Sequence, residues 1–387
     1  MSSTPTKTPG EAVRRRTGIV IDPRCGNHRM EADAPECPAR LDVLQAMLRE
    51  PAMRNRFVEI PARPAGRQAL AEVHAPAYIK RLEATAAQPC VYFDEDTSTS
   101  PGSHEAALLA AGGLCLAIGR VDAGELDNAF ALVRPPGHHA ERDAARGFCL
   151  YNNVAVGTRF AQRELGLGRV LIVDWDLHHG NGTQNCFADD PSVLFFSTHK
   201  AFAYPYSGRL GDVGKGKGKG YTVNIPLPPG FGDGEYLALF QMVLKPIALS
   251  FKPDLVLVSA GFDIHRDDPM GGMRVTPEGF AGLTRVVMDI ADTCCGGKLV
   301  MTLEGGYDLA GLRDSVRRVL REMAGLQTAD TGRLMASADP RRLAYPLWRI
   351  RRVHGRYWPP LTRLDVRLSP MDRLRGALAW WSAYLRS

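Results

Sequence analysis

The chain has 387 residues, of which 45% are hydrophobic and 23% charged, a composition that excludes a disordered or fibrous protein and allows a large buried core. The net charge of +6 is uneven, because 16 arginines, no lysines and six acidic residues lie from residue 312 onward. We interpret this excess as a solvated face or a set of internal ion pairs and not as a nucleic-acid site.

Two terminal segments flank one predicted domain. Residues 1–15 are predicted to be flexible, residues 16–328 to form the main domain, and residues 329–387 to form an Arg-, Pro- and Trp-rich extension that packs on it or lies at an oligomer interface. No signal-peptide pattern and no run of 18 apolar residues is present, and the eight scattered cysteines indicate reduced thiols. We therefore expect a cytoplasmic protein that does not enter membranes.

Short apolar runs rich in β-branched residues alternate with helical patterns. Seven runs are predicted to be strands: residues 17–21, 129–133, 169–173, 193–196, 222–225, 255–259 and 299–303. Helices are predicted over residues 103–119, 152–165 and 277–292, the last with Thr276 as N-cap. The alternation predicts an α/β fold with a central, mostly parallel sheet and helices on both faces.

Polar clusters follow four of these strands. In chain order they read RPPGHHA, DWDLHHGNG, AGFD and EGGY. Because open parallel sheets form ligand sites at the carboxyl ends of their strands, the four segments are expected to converge on one edge. Isolated histidines lack such a setting and are predicted to make structural hydrogen bonds: His28, His74, His104 and His354.

Asp176, His178 and Asp263 are the candidate metal ligands. Side chains alternate in an extended segment, so Asp174, Asp176 and His178 point to one side, and the last two can reach one ion. A catalytic zinc site has three protein ligands and an open position, and Asp263 at the end of another strand completes the set. Two carboxylates and one imidazole suit zinc, and equally suit ferrous iron or cobalt.

His138, His139 and Tyr307 are the candidate groups for amide hydrolysis. A water activated by a metal needs a base and the departing amine needs an acid, so one histidine can move the proton while its neighbour assists electrostatically. Tyr307 follows two glycines and can donate a hydrogen bond to the oxyanion that forms in the reaction. With the metal ligands, these residues predict a metal-dependent amide hydrolase.

Two charged segments are given simpler interpretations. Residues 214–220, GKGKGKG, lack the Ser or Thr of a phosphate-binding loop and precede a strand where such a loop would begin a helix. We predict a mobile basic loop at the surface. The acidic run at residues 141–143 is interpreted as solvated.

The motifs resemble those of the histone deacetylase and acetylpolyamine amidohydrolase superfamily, and most resemble its class II-like bacterial members. The similarity extends over residues 18–320 and includes CPARL, VHAPAY, SPGSHEAALLAAGG, RPPGHHA, GFCLYNN, VDWDLHHGNGTQ, DPSVLFFSTH, GFDIHRDDPMGGM and LEGGYDL. The resemblance implies an arginase-like deacetylase fold in which a narrow tunnel ends at zinc. Residues 16–328 would then be a zinc-dependent deacetylase domain.

The resemblance also implies roles for individual residues. The zinc ligands would be Asp176, His178 and Asp263. His139 would be the principal acid and base, His138 its electrostatic partner, and Tyr307 the donor that polarises the carbonyl. Asp174 would face His138 and Asn181 would face His139, and asparagine at this position resembles class II, since class I has aspartate.

Further positions match the family's ion and substrate sites. A potassium site would include Asp174, Ser197 and Thr198. The substrate-binding positions would be Asp96, Gly147, Phe148, Tyr204 and Met270. Among these, Phe148 and Tyr204 would be aromatic tunnel walls, which suit a thin aliphatic chain.

Three departures from the family pattern bear on the substrate. The first loop at the tunnel mouth carries Ala34, Pro35 and Glu36 where relatives often have His-Pro-Glu, which implies altered recognition at the rim. Met270 replaces a glutamate of the polyamine-preferring branch, and residues 90–101 lack the long insertion of bacterial polyamine enzymes. We expect N-ε-acyl-lysine in a peptide or protein as substrate. The alternatives are an acetylpolyamine or other small amide, and a non-catalytic acyl-lysine binding module; a homo-oligomer is also open.

Overall fold

Eight parallel strands form the central sheet of the computed structural model, which describes residues 14–384. The strands of this part of the chain are β1 (Thr17–Val20), β2 (Val58–Ile60), β3 (Val91–Tyr92), β4 (Ser98–Thr99), β5 (Asn128–Ala131), β6 (Val170–Asp174), β7 (Val193–Lys200), β8 (Thr222–Leu227), β9 (Leu255–Ala260) and β10 (Leu299–Leu303). The sheet order is β2-β1-β5-β10-β9-β6-β7-β8, and β3 and β4 form a separate antiparallel pair. The predicted α/β fold is confirmed.

Helices cover both faces of the sheet. Between residues 14 and 384 they are α1 (Ala39–Arg49), α2 (Arg67–Ala71), α3 (Pro76–Ala84), α4 (Ser103–Asp122), α5 (Asn153–Glu164), α6 (Asn181–Phe187), α7 (Asp233–Leu239), α8 (Lys245–Phe251), α9 (Pro277–Cys295), α10 (Leu309–Met323), α11 (Thr331–Ala336), α12 (Pro340–His354) and α13 (Pro370–Tyr384). A π-helical segment, Phe240–Leu244, joins α7 to α8. The predicted N-cap of α9 is present, because the Thr276 hydroxyl accepts a hydrogen bond from the Gly279 backbone.

Successive residues of each strand pack into opposite layers of the core. In β6, Leu171 and Val173 join the apolar cluster that contains α7, α9 and α10, whereas Val170 and Ile172 join the cluster that contains α4 and α5. A sheet buried on both faces therefore needs a nearly continuous apolar run, which is the pattern that predicted the strands.

Helix α4 is the most apolar long helix among the described residues. Its length and composition alone would let it cross a membrane, but 67% of its apolar window is buried inside the fold. A side chain at Gly113 would meet Val20 of β1, and one at Gly112 would meet the backbone near Pro64. Close packing against neighbouring segments accounts for the composition of this helix.

The sequence predicted the central strands more accurately than the edges of the fold. Strand β7 extends to Lys200, four residues beyond its predicted end, because the apolar run gives way to buried polar residues at Ser197, Thr198 and His199. Edge strand β2 was not predicted, since two of its three residues are exposed. The segment predicted to be flexible, residues 1–15, lies outside the described residues except for its last two, of which Arg15 pairs with Asp292 at 2.6 Å.

Part of the C-terminal extension packs on the main domain. Residues 331–366, which we call the C-terminal layer, bury apolar side chains in the cluster that contains α7 and α9: Leu334, Leu343, Leu347, Ile350, Trp358, Leu361, Leu364 and Val366. The Trp358 indole donates a hydrogen bond to the Gly220 carbonyl at 2.9 Å, at the end of the GKGKGKG segment. The three lysines of that segment are exposed, as the sequence indicated.

Candidate active site

The four polar clusters meet at one edge of the sheet. Strands β5, β10, β9 and β6 are consecutive neighbours and all parallel, so their carboxyl ends lie side by side. The loops after these strands carry the residues singled out in the sequence: His138, His139, Asp174, Asp176, His178, Asp263 and Tyr307. Topology therefore brings together residues that are up to 169 positions apart (307 minus 138).

Asp176, His178 and Asp263 form a buried group of potential metal ligands. One ligand atom from each lies within 4.8 Å of the others. His178 Nδ1 is 3.2 Å from Asp176 Oδ1 and 3.0 Å from Asp263 Oδ2. Burial and the nearby Asp176 carboxylate raise the pKa of Asp263 to about 7, which is the behaviour of crowded carboxylates with no cation between them. The donor set, its convergence and this crowding all fit a bound divalent ion.

Backbone groups hold the two carboxylates in place. The second oxygen of Asp263 accepts a hydrogen bond from Leu177 at 2.8 Å, and Oδ2 of Asp176 accepts one from Gly305 at 2.8 Å. A side chain at Gly261 or Gly305 would collide with these carboxylates, so both positions require glycine. The loop after β10 thereby supports a ligand supplied by β6.

The adjacent histidines lie in different electrostatic surroundings. His138 Nδ1 is 3.0 Å from Asp174 Oδ2, and although burial opposes its charge, the surrounding carboxylates raise its pKa to about 10. His139 Nδ1 is 2.7 Å from Asn181 Oδ1, and burial together with the charge on His138 holds its pKa well below the usual range. One ring is therefore set up as a cation and the other as a neutral base.

Glu141 fixes the orientation of Asn181, a contact that the sequence analysis missed by assigning residues 141–143 to solvent. The Asn181 amide nitrogen donates to Glu141 Oε1 at 2.6 Å, so its oxygen faces His139 and accepts a hydrogen bond from the protonated Nδ1. His139 Nε2 is then unprotonated and can accept a proton. The 40 residues that separate Glu141 from Asn181 hide this link in the sequence.

Tyr307 lines the same cavity as the two histidines. Asp268 accepts hydrogen bonds from the backbone of Tyr307 at 2.7 Å and of Asp308 at 3.1 Å, and the Arg40 guanidinium lies 5.1 Å from the tyrosine ring centroid. Burial, reinforced by the Asp263 carboxylate, raises the pKa of Tyr307 well above its usual value. The hydroxyl therefore remains protonated and able to donate a hydrogen bond.

The cavity above the metal ligands is narrow and has aromatic walls. It has a volume of about 100 Å³. The residues that line it include all five predicted substrate positions: Asp96, Gly147, Phe148, Tyr204 and Met270. Gly147 has φ of +54°, and a Cβ there would lie 2.8 Å from the Tyr204 ring, so glycine is needed where the wall approaches His139. Met270 is 39% exposed and stands at the mouth.

Asp174, Ser197 and Thr198 lie together below the histidines. Asp174 pairs with Ser197 across strands β6 and β7, and all three side chains are buried. The Thr198 hydroxyl has no hydrogen-bond partner among the described residues, and because side chains alternate along a strand it points to the opposite face of the sheet from Ser197. A cation beside Asp174 could therefore bind the Ser197 hydroxyl, and could bind Thr198 only through its backbone carbonyl.

Glu304 is a buried residue of this site that the sequence analysis did not single out. Its carboxylate accepts hydrogen bonds from the backbone of Gly137 at 2.7 Å and of His138 at 3.2 Å, and from the Ser259 hydroxyl at 2.9 Å. Glu304 thereby fixes the turn that presents both histidines. Its place at the end of β10, directly before the two glycines of EGGY, was the available signal.

Glu36 is buried, which corrects its assignment to the tunnel rim. Its carboxylate binds the Arg134 guanidinium through two hydrogen bonds of 2.5 and 2.6 Å, lies 3.1 Å from Arg40 and is 3.4 Å from His28. Arg40 in turn donates to the carbonyl oxygens of Glu304 and Gly306. Of Ala34, Pro35 and Glu36 only Pro35 is exposed, so Glu36 supports the loop of Tyr307 from beneath and does not meet substrate at the surface.

The fold and the cavity are those of a hydrolase family, with a candidate metal site at the bottom of a tunnel. The family model for the histone deacetylase domain matches residues 34–323, and the chain belongs to this family. A probable deacetylase of Archaeoglobus fulgidus is 37% identical over 361 residues, covering 88% of this chain and 98% of that protein. The solved HDA15 HD domain has a TM-score of 0.80 and 37% identity, covering 90% of this chain and 98% of that one.

Eukaryotic relatives differ in what their names assign to them. Histone deacetylase 5 of Arabidopsis thaliana is 40% identical over 321 residues, and the polyamine deacetylase HDAC10 of Homo sapiens is 38% identical over 379 residues. The matches cover 78% and 92% of this chain but only 48% and 55% of those proteins. Relatives named as histone deacetylases and relatives named as polyamine deacetylases are therefore both similar to this chain.

Proposed function

We propose that this protein is a zinc-dependent hydrolase that removes acetyl or other acyl groups from N-ε-acyl-lysine side chains of peptides or proteins. The observation that carries the proposal is the convergence of Asp176, His178 and Asp263 with His139 and Tyr307 at the bottom of a narrow cavity. Phe148 and Tyr204 line that cavity and suit the methylene groups of lysine. This convergence favours catalysis over a non-catalytic binding module.

Each residue of the site has a chemical task in this proposal. The two aspartates and His178 would hold the zinc ion, which when bound would supply Lewis-acid activation of water and of the amide carbonyl. His139 accepts the proton of the water at Nε2 and returns it to the departing lysine amine. The Tyr307 hydroxyl donates a hydrogen bond to the carbonyl oxygen as negative charge develops there. The positive charge on His138 also stabilises the negative charge that develops on the carbonyl oxygen.

A potassium ion is part of the proposal for the region beneath the histidines. Asp174 would supply a carboxylate there and Thr198 a backbone carbonyl, because the Thr198 side chain points to the opposite face of the sheet. An ion bound to these groups and to Ser197 would balance the buried charge of Asp174 and keep that carboxylate directed at His138.

Acetylpolyamine hydrolysis is the second candidate, because the human relative HDAC10 is named a polyamine deacetylase. Met270 argues for acyl-lysine, since the apolar side chain at the tunnel mouth offers no charge to a polyamine. The identity to that relative extends over 92% of this chain, so the rim and not the overall fold must decide between the two substrates.

A substrate panel on one zinc-loaded preparation tests the proposal. Peptides with acetyl-, propionyl-, butyryl- and longer acyl-lysine are assayed beside N8-acetylspermidine, with metal content measured on the same sample. We expect acyl-lysine hydrolysis with a kcat/KM well above that for the polyamine. No turnover of any acyl-lysine substrate would refute the proposal, and a preference for acetylspermidine in direct competition would replace it by the second candidate.

A further inference from the structure

A basic groove lies next to the tunnel mouth. It runs between Lys200 at the end of β7, Pro229, and the loop of residues 266–276 that follows β9, and it has a volume of about 940 Å³. Met270 lines both this groove and the tunnel, so the two openings share one wall. A peptide whose acyl-lysine enters the tunnel must pass its neighbouring residues over this groove or over the opposite side of the mouth.

Three cations and one anion line the groove. Asp267 is the single acid, and it already lies 3.3 Å from the Arg266 guanidinium. Lys200 is partly buried and donates to the Gly271 carbonyl at 3.2 Å, and within residues 14–384 it forms no ion pair. The Arg274 side chain is exposed and likewise has no carboxylate partner in the described part of the chain. The groove therefore holds two cations in excess of its own counter-ion.

The position of Lys200 is unusual for a lysine with only a structural role. Burial lowers its pKa, which means that its ammonium group loses hydration without gaining a carboxylate in exchange. The carbonyl of Gly271 offsets part of this cost. An anionic group of a ligand would offset the rest, and Arg274 lines the same groove.

We propose that this groove binds an acidic side chain, aspartate or glutamate, located one or two residues from the acyl-lysine of a polypeptide substrate. Extended chain advances about 3.3 to 3.6 Å per residue, so only such near neighbours reach a groove that begins at the tunnel wall. The inference rests on the proposed acyl-lysine hydrolysis and adds the sequence context that the enzyme selects.

The first test compares peptides that differ only in charge beside the acyl-lysine. Glutamate, glutamine or lysine is placed in turn at the two positions on each side, and kcat/KM is measured together with that of an uncharged single acetyl-lysine amide. We expect glutamate to exceed glutamine by about fivefold at one of these positions, as one well-placed ion pair provides, mainly through KM and with a smaller ratio at high salt. Equal values for glutamate and glutamine at all four positions would overturn the inference.

Charge reversal in the groove provides the second test. Lys200→Gln should bring the glutamate-to-glutamine ratio to about one. Arg274→Glu should bring that ratio to one or below and should make the lysine-containing peptide the best of the three. Turnover of the single acetyl-lysine amide should be unchanged in both variants. Lys217→Glu makes the same change in charge at an exposed residue outside the groove and should keep the wild-type ratio. A ratio that survives Arg274→Glu would also overturn the inference. If the amide is hydrolysed but the ratio does not respond to these variants, the inference about the groove fails while the proposed function stands. If neither the amide nor any peptide is hydrolysed, the proposed function fails and the inference fails with it.

Discussion

The site at the bottom of the tunnel and the C-terminal layer both bury histidine, with opposite consequences. His138 is surrounded by Asp174, Asp176 and Glu304, and these carboxylates raise its pKa to about 10 in spite of burial. His354 is fully buried at the end of α12, neither of its ring nitrogens has a partner in the described part of the chain, and burial lowers its pKa to about 4. Desolvation by burial thus opposes a charged imidazole at both positions. Nearby carboxylates overcome it at His138, whereas no carboxylate opposes it at His354 within the described residues.

This difference separates chemistry from stability in the molecule. Ionisable groups of the tunnel site are linked to one another by short contacts, so a change in one alters the charge or orientation of its neighbours. The C-terminal layer is held by apolar contacts around Leu343, Leu347 and Trp358. Changes in the first region should therefore act mainly on activity, and changes in the second mainly on the free energy of unfolding.

The largest expected effect comes from removing a metal ligand. Asp263→Ala should abolish stoichiometric zinc binding and lower kcat/KM by more than about 10³-fold, because two remaining ligands cannot hold a catalytic ion. Zinc content after dialysis and kcat/KM check this expectation. Asp365→Ala, at an exposed position in the C-terminal layer, is the control and should leave both unchanged. Full zinc occupancy in Asp263→Ala would contradict the ligand assignment.

The next largest effect concerns the oxyanion donor. Tyr307→Phe should keep the zinc content and lower kcat by about 10² to 10³-fold, because the ring still packs beneath Phe148 and over Arg40 while the hydrogen bond to the developing charge is lost. Single-turnover rates on an acetyl-lysine peptide measure the loss. Tyr206→Phe changes an exposed tyrosine outside this cavity and serves as the matched control. Unaltered turnover in Tyr307→Phe would remove its proposed role.

The buried ion cluster behind Tyr307 tests whether the tunnel site also contributes to stability. Glu36→Gln would leave Arg134 and Arg40 buried without a carboxylate, and should lower the free energy of unfolding by about 3 kcal/mol or more. Glu105→Gln, in which an exposed carboxylate 3.3 Å from Arg24 is changed, should cost under about 1 kcal/mol. Urea denaturation of both variants measures the difference. Equal midpoints would show that the cluster adds no more than a surface ion pair.

The sequence predicted the structure best where a pattern within one segment reflects the burial of that same segment. Apolar runs predicted β6, β9 and β10 to within one residue at each end, because strands buried on both faces must be apolar throughout. Their strand-end positions also predicted that Asp176 and Asp263 would meet. The roles proposed for His138 and His139 came from the family resemblance and are still predictions.

Long-range polar contacts could not be predicted in the same way. Glu36 was assigned to the rim because the sequence showed only that it belongs to the first loop. Its burial depends on an ion pair with Arg134, which lies 98 residues away. Glu141 was interpreted as solvated for the same reason, since its partner Asn181 lies 40 residues away at the start of α6. Helix α12 was likewise not identified, because its arginine-rich sequence conceals a single buried face at Leu343, Leu347 and Ile350.

The smallest expected effect is the pH dependence contributed by His354. Between pH 6.5 and 4 the unfolded chain binds a proton at this residue that the folded chain excludes, so the free energy of unfolding falls as the pH falls, by about 2 kcal/mol at pH 5. His354→Leu should remove this part of the pH dependence and change stability little at pH 7, because no hydrogen bond to the ring is lost within the described residues. Urea midpoints at pH 7 and pH 5 compare the two proteins. His74 and His199 have similarly lowered pKa values and retain their share of the dependence, so the variant should narrow the difference between the two midpoints without eliminating it. An unchanged difference would mean that His354 accepts its proton without disturbing the C-terminal layer.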